Sequence, residues 1–278
     1  MTPFQRGFFC DDQSLRYPYS DCTITVPMLL ICMLLMPLLF ISVIEIIRIC
    51  NNFRLRRYLW NLWHNAAAFS FGFIATYLCA ELAKRLIGRL RPHFYAACEP
   101  RLPNGNSCED AGNHGRYIER YVCGNRNLSL SQQRELQMSF PSAHSALSFF
   151  SMIFLCFYLH AAWQSGHVGC RYLRHLLQFI LLLLAWSISL SRVTDYWHHW
   201  SDVLAGALLG VAFAVLAAVY VGDLLGFTRR QQAEKRQCNE YQRKNCIVRG
   251  FLGILELITA DSFDNESERE RESSSHFN

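Results

Sequence analysis

The chain has 278 residues, 51% hydrophobic and only 18% charged, with a formal net charge of +5 and a mean hydropathy of +0.09. Soluble domains average roughly 25% charged residues, and here nearly all the charge lies between apolar stretches that approach the ~20 residues needed to cross a bilayer. These figures exclude an ordinary soluble domain, a disulfide-framed mini-protein and a disordered chain; the length allows one compact membrane domain plus a tail.

Residues 1–25 are polar and aromatic with no apolar h-region. No cleavable signal peptide is expected, and the first span should serve as its own insertion signal. Five apolar stretches follow: Val26–Ile47, Ala66–Ala83, Ala143–Trp163, Leu173–Leu190 and Val203–Phe227. None has a charge near its middle. Backbone groups in lipid must be satisfied within their own segment, so all five are predicted helices and the fold class is all-α, a polytopic membrane helix bundle. The expected organisation is an extracytoplasmic segment (1–25), a membrane domain (26–227) and a cytoplasmic tail (228–278). The tail opens basic and ends in a composition typical of disorder. Within it, Cys246–Ala260 is apolar but short, a surface-lying helix or a segment packed under the domain.

Arg48, Arg54, Arg56 and Arg57 follow span one, Arg171 and Arg174 follow span three, and Arg229, Arg230, Lys235, Arg236, Arg243 and Lys244 follow span five. All three groups fall on one side, which the positive-inside rule makes cytoplasmic. The N-terminus and the long 84–142 loop are then outside. The sequon Asn127-Leu128-Ser129 lies in that loop as a glycosylation candidate, whereas Asn265-Glu266-Ser267 falls in the predicted cytoplasmic tail. Cys98, Cys108 and Cys123 share the outer loop, and Cys10 and Cys22 share the outer N-terminal segment. Disulfides are permitted there, with the pairing left open.

The alternating spans deliver three polar clusters to that same outer side. Lys84, Arg91 and Pro92 leave span two. Alone, such cations are ordinary interfacial anchors. Pro141-Ser142-Ala143-His144 opens span three. Pro and Ser there are helix-start residues, and the free N–H groups of a helix start also attract anions. Ser191 and Arg192 end span four, and His198, His199 and Asp202 open span five. His198 and Asp202 are four apart, so on a helix they share a face, and a carboxylate bonded to one ring nitrogen makes the other a better nucleophile. His199 is expected to be interfacial packing. His and Asp could also ligate a metal, but three nearby cations favour an anion. Lys84, Arg91, Arg192, a helix N-terminus and two imidazoles suit a phosphate dianion in the headgroup layer, with its tail in lipid.

Lys84 with Arg91-Pro92, Pro141-Ser142-Ala143-His144, and Ser191-Arg192 followed by His198 and Asp202 resemble the three motifs of the type 2 phosphatidic acid phosphatase superfamily. Gly88-Arg89-Leu90-Arg91-Pro92-His93-Phe94, the run Ser191 to Asp202, and Arg6-Gly7-Phe8-Phe9-Cys10 to Tyr17-Pro18-Tyr19 resemble its animal lipid phosphate phosphatase branch. The resemblance covers about residues 5 to 225. It implies that His198 is a nucleophile forming a phosphohistidine, with Asp202 orienting it and His144 protonating the leaving alcohol. Lys84, Arg91, Ser142 and Arg192 would hold the phosphate, with backbone N–H groups near Ala143. It implies no metal or other cofactor, and substrates such as phosphatidic acid, lysophosphatidic acid, sphingosine 1-phosphate and ceramide 1-phosphate. The expected partners are these lipids and the bilayer, not nucleic acid, with room for a homo-oligomer. The expected location is the plasma membrane, as an integral multi-pass protein whose active site faces outside or a lumen.

Two departures stand out. The family's usual Gly is Ala143 here. In a left-handed conformation Ala would cost on the order of 1 kcal/mol, whereas in a helical first turn, which Pro141-Ser142 favours, it is harmless. The resemblance also implies six spans, and residues 5–25 resemble the family's first outer loop, so five spans are expected in the sequence given. Both motivate an alternative, a catalytically weak lipid-phosphate-binding or scaffolding membrane protein. The paired imidazoles and carboxylate argue against it. A transporter would want ionisable residues deep in the spans, and Glu45 and Glu81 lie near span ends.

Overall fold

A computed structural model describes residues 2–51, 55–103, 107–113, 115–163, 168–224 and 226. Its helices are α1 (Val26–Asn51), α2 (Leu55–Ile87), α3 (Phe94–Cys98), α4 (Leu130–Glu135), α5 (Ala143–Ala162), α6 (Val168–Thr194) and α7 (Trp200–Leu216), the last extended by a π turn over Ala217–Val221. Five of these, α1, α2, α5, α6 and α7, are long and apolar enough to cross a membrane. The fold is all-α with the five predicted spans.

Span limits need correction. α2 begins at Leu55 rather than Ala66, because Arg56, Arg57, Asn61, His64 and Asn65 lower the hydropathy there without breaking the helix; Trp60 and Trp63 are exposed in this stretch as interfacial anchors are. α6 begins at Val168 rather than Leu173, so Arg171 and Arg174 are helical and not in a loop. Arg174 Nη1 donates to the Trp163 carbonyl at 2.9 Å, which satisfies an orphan acceptor at the end of α5. Arg48, Arg56 and Arg57 are also helical, and the last turn closes at Val221, short of Phe227. Residues 227–278, with Cys246–Ala260 and Asn265, lie outside the described residues.

α5 is the axis of the bundle and packs against α1, α2, α6 and α7. Its apolar window is 72% buried, against 22% for α1 and 28% for α6. The outer helices therefore turn Leu, Ile and Phe outward, as lipid-facing helices do. The closest seam joins α5 to α7. Gly206 and Gly210 form a G-x-x-x-G pair, and a Cβ at Gly210 would collide with the Ala146 carbonyl while one at Gly206 would collide with that of Ser142. Small residues at this spacing let helix backbones approach closely. Gly210→Leu forces the helices apart and is expected to cost at least about 1–3 kcal/mol, read as a lowered unfolding midpoint in detergent. An unchanged midpoint would show that the seam does not set the packing.

Outside the bundle, β1 (Phe8–Phe9) pairs with β3 (Tyr117–Ile118), and β2 (Pro100–Arg101) with β4 (Val122–Cys123), both antiparallel. Disulfides join Cys10 to Cys108 and Cys98 to Cys123, which settles the open pairing and leaves Cys22 free. A small apolar cluster including Phe8, Leu15, Leu90, Phe94 and Ile118 fills this cap.

Candidate active site

Each arm of the site begins where a helix starts or stops. Gly88, at φ 61°, ends α2 in the left-handed region, a conformation that suits glycine at a helix C-terminus; a Cβ there would meet the Phe4 carbonyl. The chain then runs beside the segment before α5. Arg91 N donates to Leu136 O at 2.9 Å and Ser139 N to Arg89 O at 3.0 Å. Ser142 is the N-cap of α5, and its N–H reaches Asp202 O on α7 at 3.0 Å. After α6, Trp197 N and His198 N both donate to Arg192 O at 3.1 Å. Backbone bonds thus tie all three motif segments together before any side chain is considered.

Lys84, Arg91, Ala143, His144, Arg192 and His198 line one cavity of about 210 Å³. Cys22, Tyr77, Glu81, Glu135 and Trp197 share its wall, and Val26, Leu29, Leu30 and Leu147 make it apolar toward α1 and α5. Ser142 and Asp202 are fully buried and are not part of its lining. Ala143 is the first residue of α5 and is not among the residues with positive φ, so the missing Gly costs no backbone strain. A second cavity of about 410 Å³ shares Arg91, Glu135 and Trp197 with the first, and exposed Asn127 lies at its rim.

His198 is buried, and its Nδ1 donates to the Ser139 carbonyl at 2.6 Å. A carbonyl only accepts, so in the neutral ring the lone pair is on Nε2. Burial first, then the positive charges of Arg91 and Lys84, holds the His198 ring well below its ordinary pKa of 6.5. The ring is neutral at physiological pH. The expected bond from Asp202 to His198 is not made: Nδ1 stands 4.0 Å from Asp202 Oδ2. The reason is that α7 starts only at Trp200, so His198 precedes the helix and the four-residue spacing places no shared face. Asp202 instead pairs with Arg89 and accepts from Ser139 Oγ at 2.6 Å, His199 N at 3.0 Å and His199 Nδ1 at 3.2 Å. His199, expected as interfacial packing, is therefore a partner of Asp202.

The cations differ in what they have free. Lys84 pairs with Glu81 at 2.7 Å. Arg91 is anchored by its Nε to Glu135 O at 2.7 Å, with its guanidinium 4.5 Å from the Trp197 ring centroid. Burial pulls its pKa down to about 10, still charged at neutral pH. Arg192 is fully buried and ion-paired with Asp195 at 2.8 Å. His144 Nε2 faces the Ile24 carbonyl at 3.0 Å, which leaves Nδ1 as its exchangeable position.

Sequence reasoning missed Arg89, Ser139, Ile24 and Asp195. Ser139 and Ile24 act through backbone carbonyls, which every residue type carries. Arg89 and Asp195 sit inside the motif segments, and their charges were the one available signal.

The fold is that of a membrane helix bundle with five helices able to span, and its cavity gathers Lys84, Arg91, Arg192 and two histidines beside apolar walls, a lining whose charge suits an anion. Residues 65–225 match the PAP2 superfamily, and the chain belongs to that family. It is 39% identical over 242 residues to phospholipid phosphatase 1 of Rattus norvegicus, covering 84% of this chain and 81% of that protein. It is 32% identical over 251 residues to phospholipid phosphatase 2 of Homo sapiens, covering 87% and 82%. A Drosophila melanogaster protein with phosphatidate phosphatase in its name is 40% identical over 241 residues, 80% of this chain but 62% of that protein's length. No solved structure matches the chain.

Proposed function

We propose that the protein is a membrane lipid phosphate phosphatase that hydrolyses phosphate monoesters of phosphatidic acid, lysophosphatidic acid, sphingosine 1-phosphate and ceramide 1-phosphate. The observation that carries this reading is the His198 ring, its Nδ1 bonded to Ser139 O and so its Nε2 left to act, in a cavity that also holds Lys84, Arg91, Arg192 and His144. Nε2 of His198 attacks phosphorus and the ester P–O bond breaks; His144, which enters this step protonated on both ring nitrogens beside the bound dianion with Nε2–H held by Ile24 O, gives its Nδ1 proton to the leaving alkoxide. Water then attacks the phosphohistidine, the P–N bond breaks, the water proton returns to His144 and phosphate leaves. Lys84 and Arg91 neutralise the transferring group. Surrounding cations disfavour a divalent metal here, so the reaction is read as metal-independent.

The names of the relatives support the substrate class. The two disulfides of the cap suit an oxidising compartment, which supports an active site facing the exterior or a lumen, a glycan at Asn127, and a place in the plasma membrane. Hydrolysis of lysophosphatidic acid in EDTA by purified protein, against His198→Ala, tests the reading. Equal phosphate release from both would remove it; binding without release would favour the scaffold alternative.

The His198 ring supplies a pH prediction. A depressed pKa means that the ring stays neutral as pH falls through 6.5, so the nucleophile survives mild acid. Histidine ¹⁵N spectra, with His198 assigned by its loss in His198→Ala, should show a neutral Nδ1–H ring at about pH 5.5. A midpoint near the ordinary value would refute it.

A further inference from the structure

Arg192 carries five N–H bonds, and the protein engages every one. Nε and Nη2 reach Ser191 Oγ at 3.2 and 3.0 Å, Nη2 reaches Asp195 Oδ2 at 2.8 Å, and Nη1 reaches Cys22 Sγ at 2.8 Å and Ile24 O at 3.2 Å. Two of these partners come from the strap just before α1, far from Arg192 in the chain and ahead of residue 65, where the family match begins. The same Ile24 carbonyl accepts from His144 Nε2 at 3.0 Å. One backbone oxygen therefore sets the position of a phosphate-side cation and of the proton donor.

The strap is itself held. Asp195 accepts from Thr23 N and Thr23 Oγ1, both at 2.9 Å, while its Oδ2 also takes Arg192. Asp195 is 8% exposed, and a carboxylate so placed must keep its donors. Thr23 and Asp195 form a clasp whose two sides are the N-terminal strap and the end of α6.

We propose that residues Cys22–Ile24 are a working wall of the active site, and that Thr23 and Asp195 are positioning residues that set Arg192 and His144 through the Ile24 carbonyl. This rests on the hydrolase reading above. Proton delivery to the leaving alkoxide occurs only in the transition state, whereas ground-state phosphate is held by Lys84 and Arg91, because every Arg192 N–H is already engaged by protein. Loosening the clasp should therefore lower kcat and spare KM. A displacement on the order of 1 Å is enough to matter.

The test uses the full chain in detergent with lysophosphatidic acid. Thr23→Val keeps shape and the backbone N–H but removes the hydroxyl; kcat should fall about tenfold with KM within about twofold. Thr23→Ser should restore kcat, and Asp195→Asn should lose more than Thr23→Val. Cys22 supplies a second readout. Its maleimide labelling, obtained by difference from Cys22→Ser because Cys32 and Cys79 are exposed, should speed up in Thr23→Val and Asp195→Asn. Unchanged kcat in Thr23→Val and Asp195→Asn, a matching rise in KM, or failure of Thr23→Ser to rescue overturns the proposal. Should wild type release no more phosphate than His198→Ala, the hydrolase reading fails on its own. The clasp is then judged by Cys22 labelling, and unchanged labelling rejects it.

Discussion

His198→Ala is expected to lower phosphate release from lysophosphatidic acid by at least about 10³-fold, about 4 kcal/mol of transition-state stabilisation, with the protein still folded. Neither neighbour can replace the lost ring. His199 is committed to Asp202, and His144 has its Nε2 engaged by Ile24 O and serves as the acid in the proposed reaction. Truncation removes one bond, Nδ1–H to Ser139 O, and leaves a small cavity beside an existing one, so a modest stability loss is expected. Rapid quench into base with ³²P-labelled substrate should trap label on wild type, since a phosphohistidine is stable there, and none on His198→Ala. Added imidazole, which fits the vacated space, should return part of the rate. Retention of more than about a tenth of the activity would show that another group attacks phosphorus.

The five spans were legible because ~20 apolar residues in a row have few other fates, and the approach of Lys84, Arg91, Ala143, His144, Arg192 and His198 followed from alternating helices alone. Helix limits were less legible where strongly polar residues sit inside a helix, as Arg56, Arg57, Asn61, His64 and Asn65 do at the start of α2. The partner of His198 was misread for a specific reason. Spacing arguments assume helix, and the left-handed Tyr196, at φ 58°, turns the chain before α7 begins. The roles of Ser139 and Ile24 left no mark in the sequence because their backbone oxygens, not their side chains, orient the histidines. Cysteine pairing was equally hidden, since Cys22 is far nearer to Cys10 in sequence than is Cys108, its partner 98 residues on, and only the strand pairing of the cap brings those two together.

Asp202 carries the second large expectation. Its buried carboxylate gathers Arg89 from the end of α2, Ser139 from before α5 and His199 from before α7, so one side chain holds three motif segments in register. Asp202→Ala strands the Ser139 hydroxyl and leaves Arg89 with Ser201 Oγ, at 2.8 Å, in place of its ion pair. Breaking a buried pair costs about 3–5 kcal/mol, and the loss here belongs at the low end because Arg89 is 31% exposed and can turn to water. The variant should therefore lose stability and activity together, seen as a lowered unfolding midpoint in detergent and a rate near that of His198→Ala. Ser139→Ala separates the two readings of this residue. A carboxylate acting directly on His198 would leave that substitution silent. The geometry instead routes Asp202 through Ser139, whose hydroxyl it holds while the Ser139 carbonyl holds the ring. Removing the hydroxyl frees that carbonyl to drift, and kcat should fall about tenfold with the fold intact. Wild-type kcat in Ser139→Ala would return Asp202 to a direct role that its 4.0 Å separation from His198 Nδ1 does not now support.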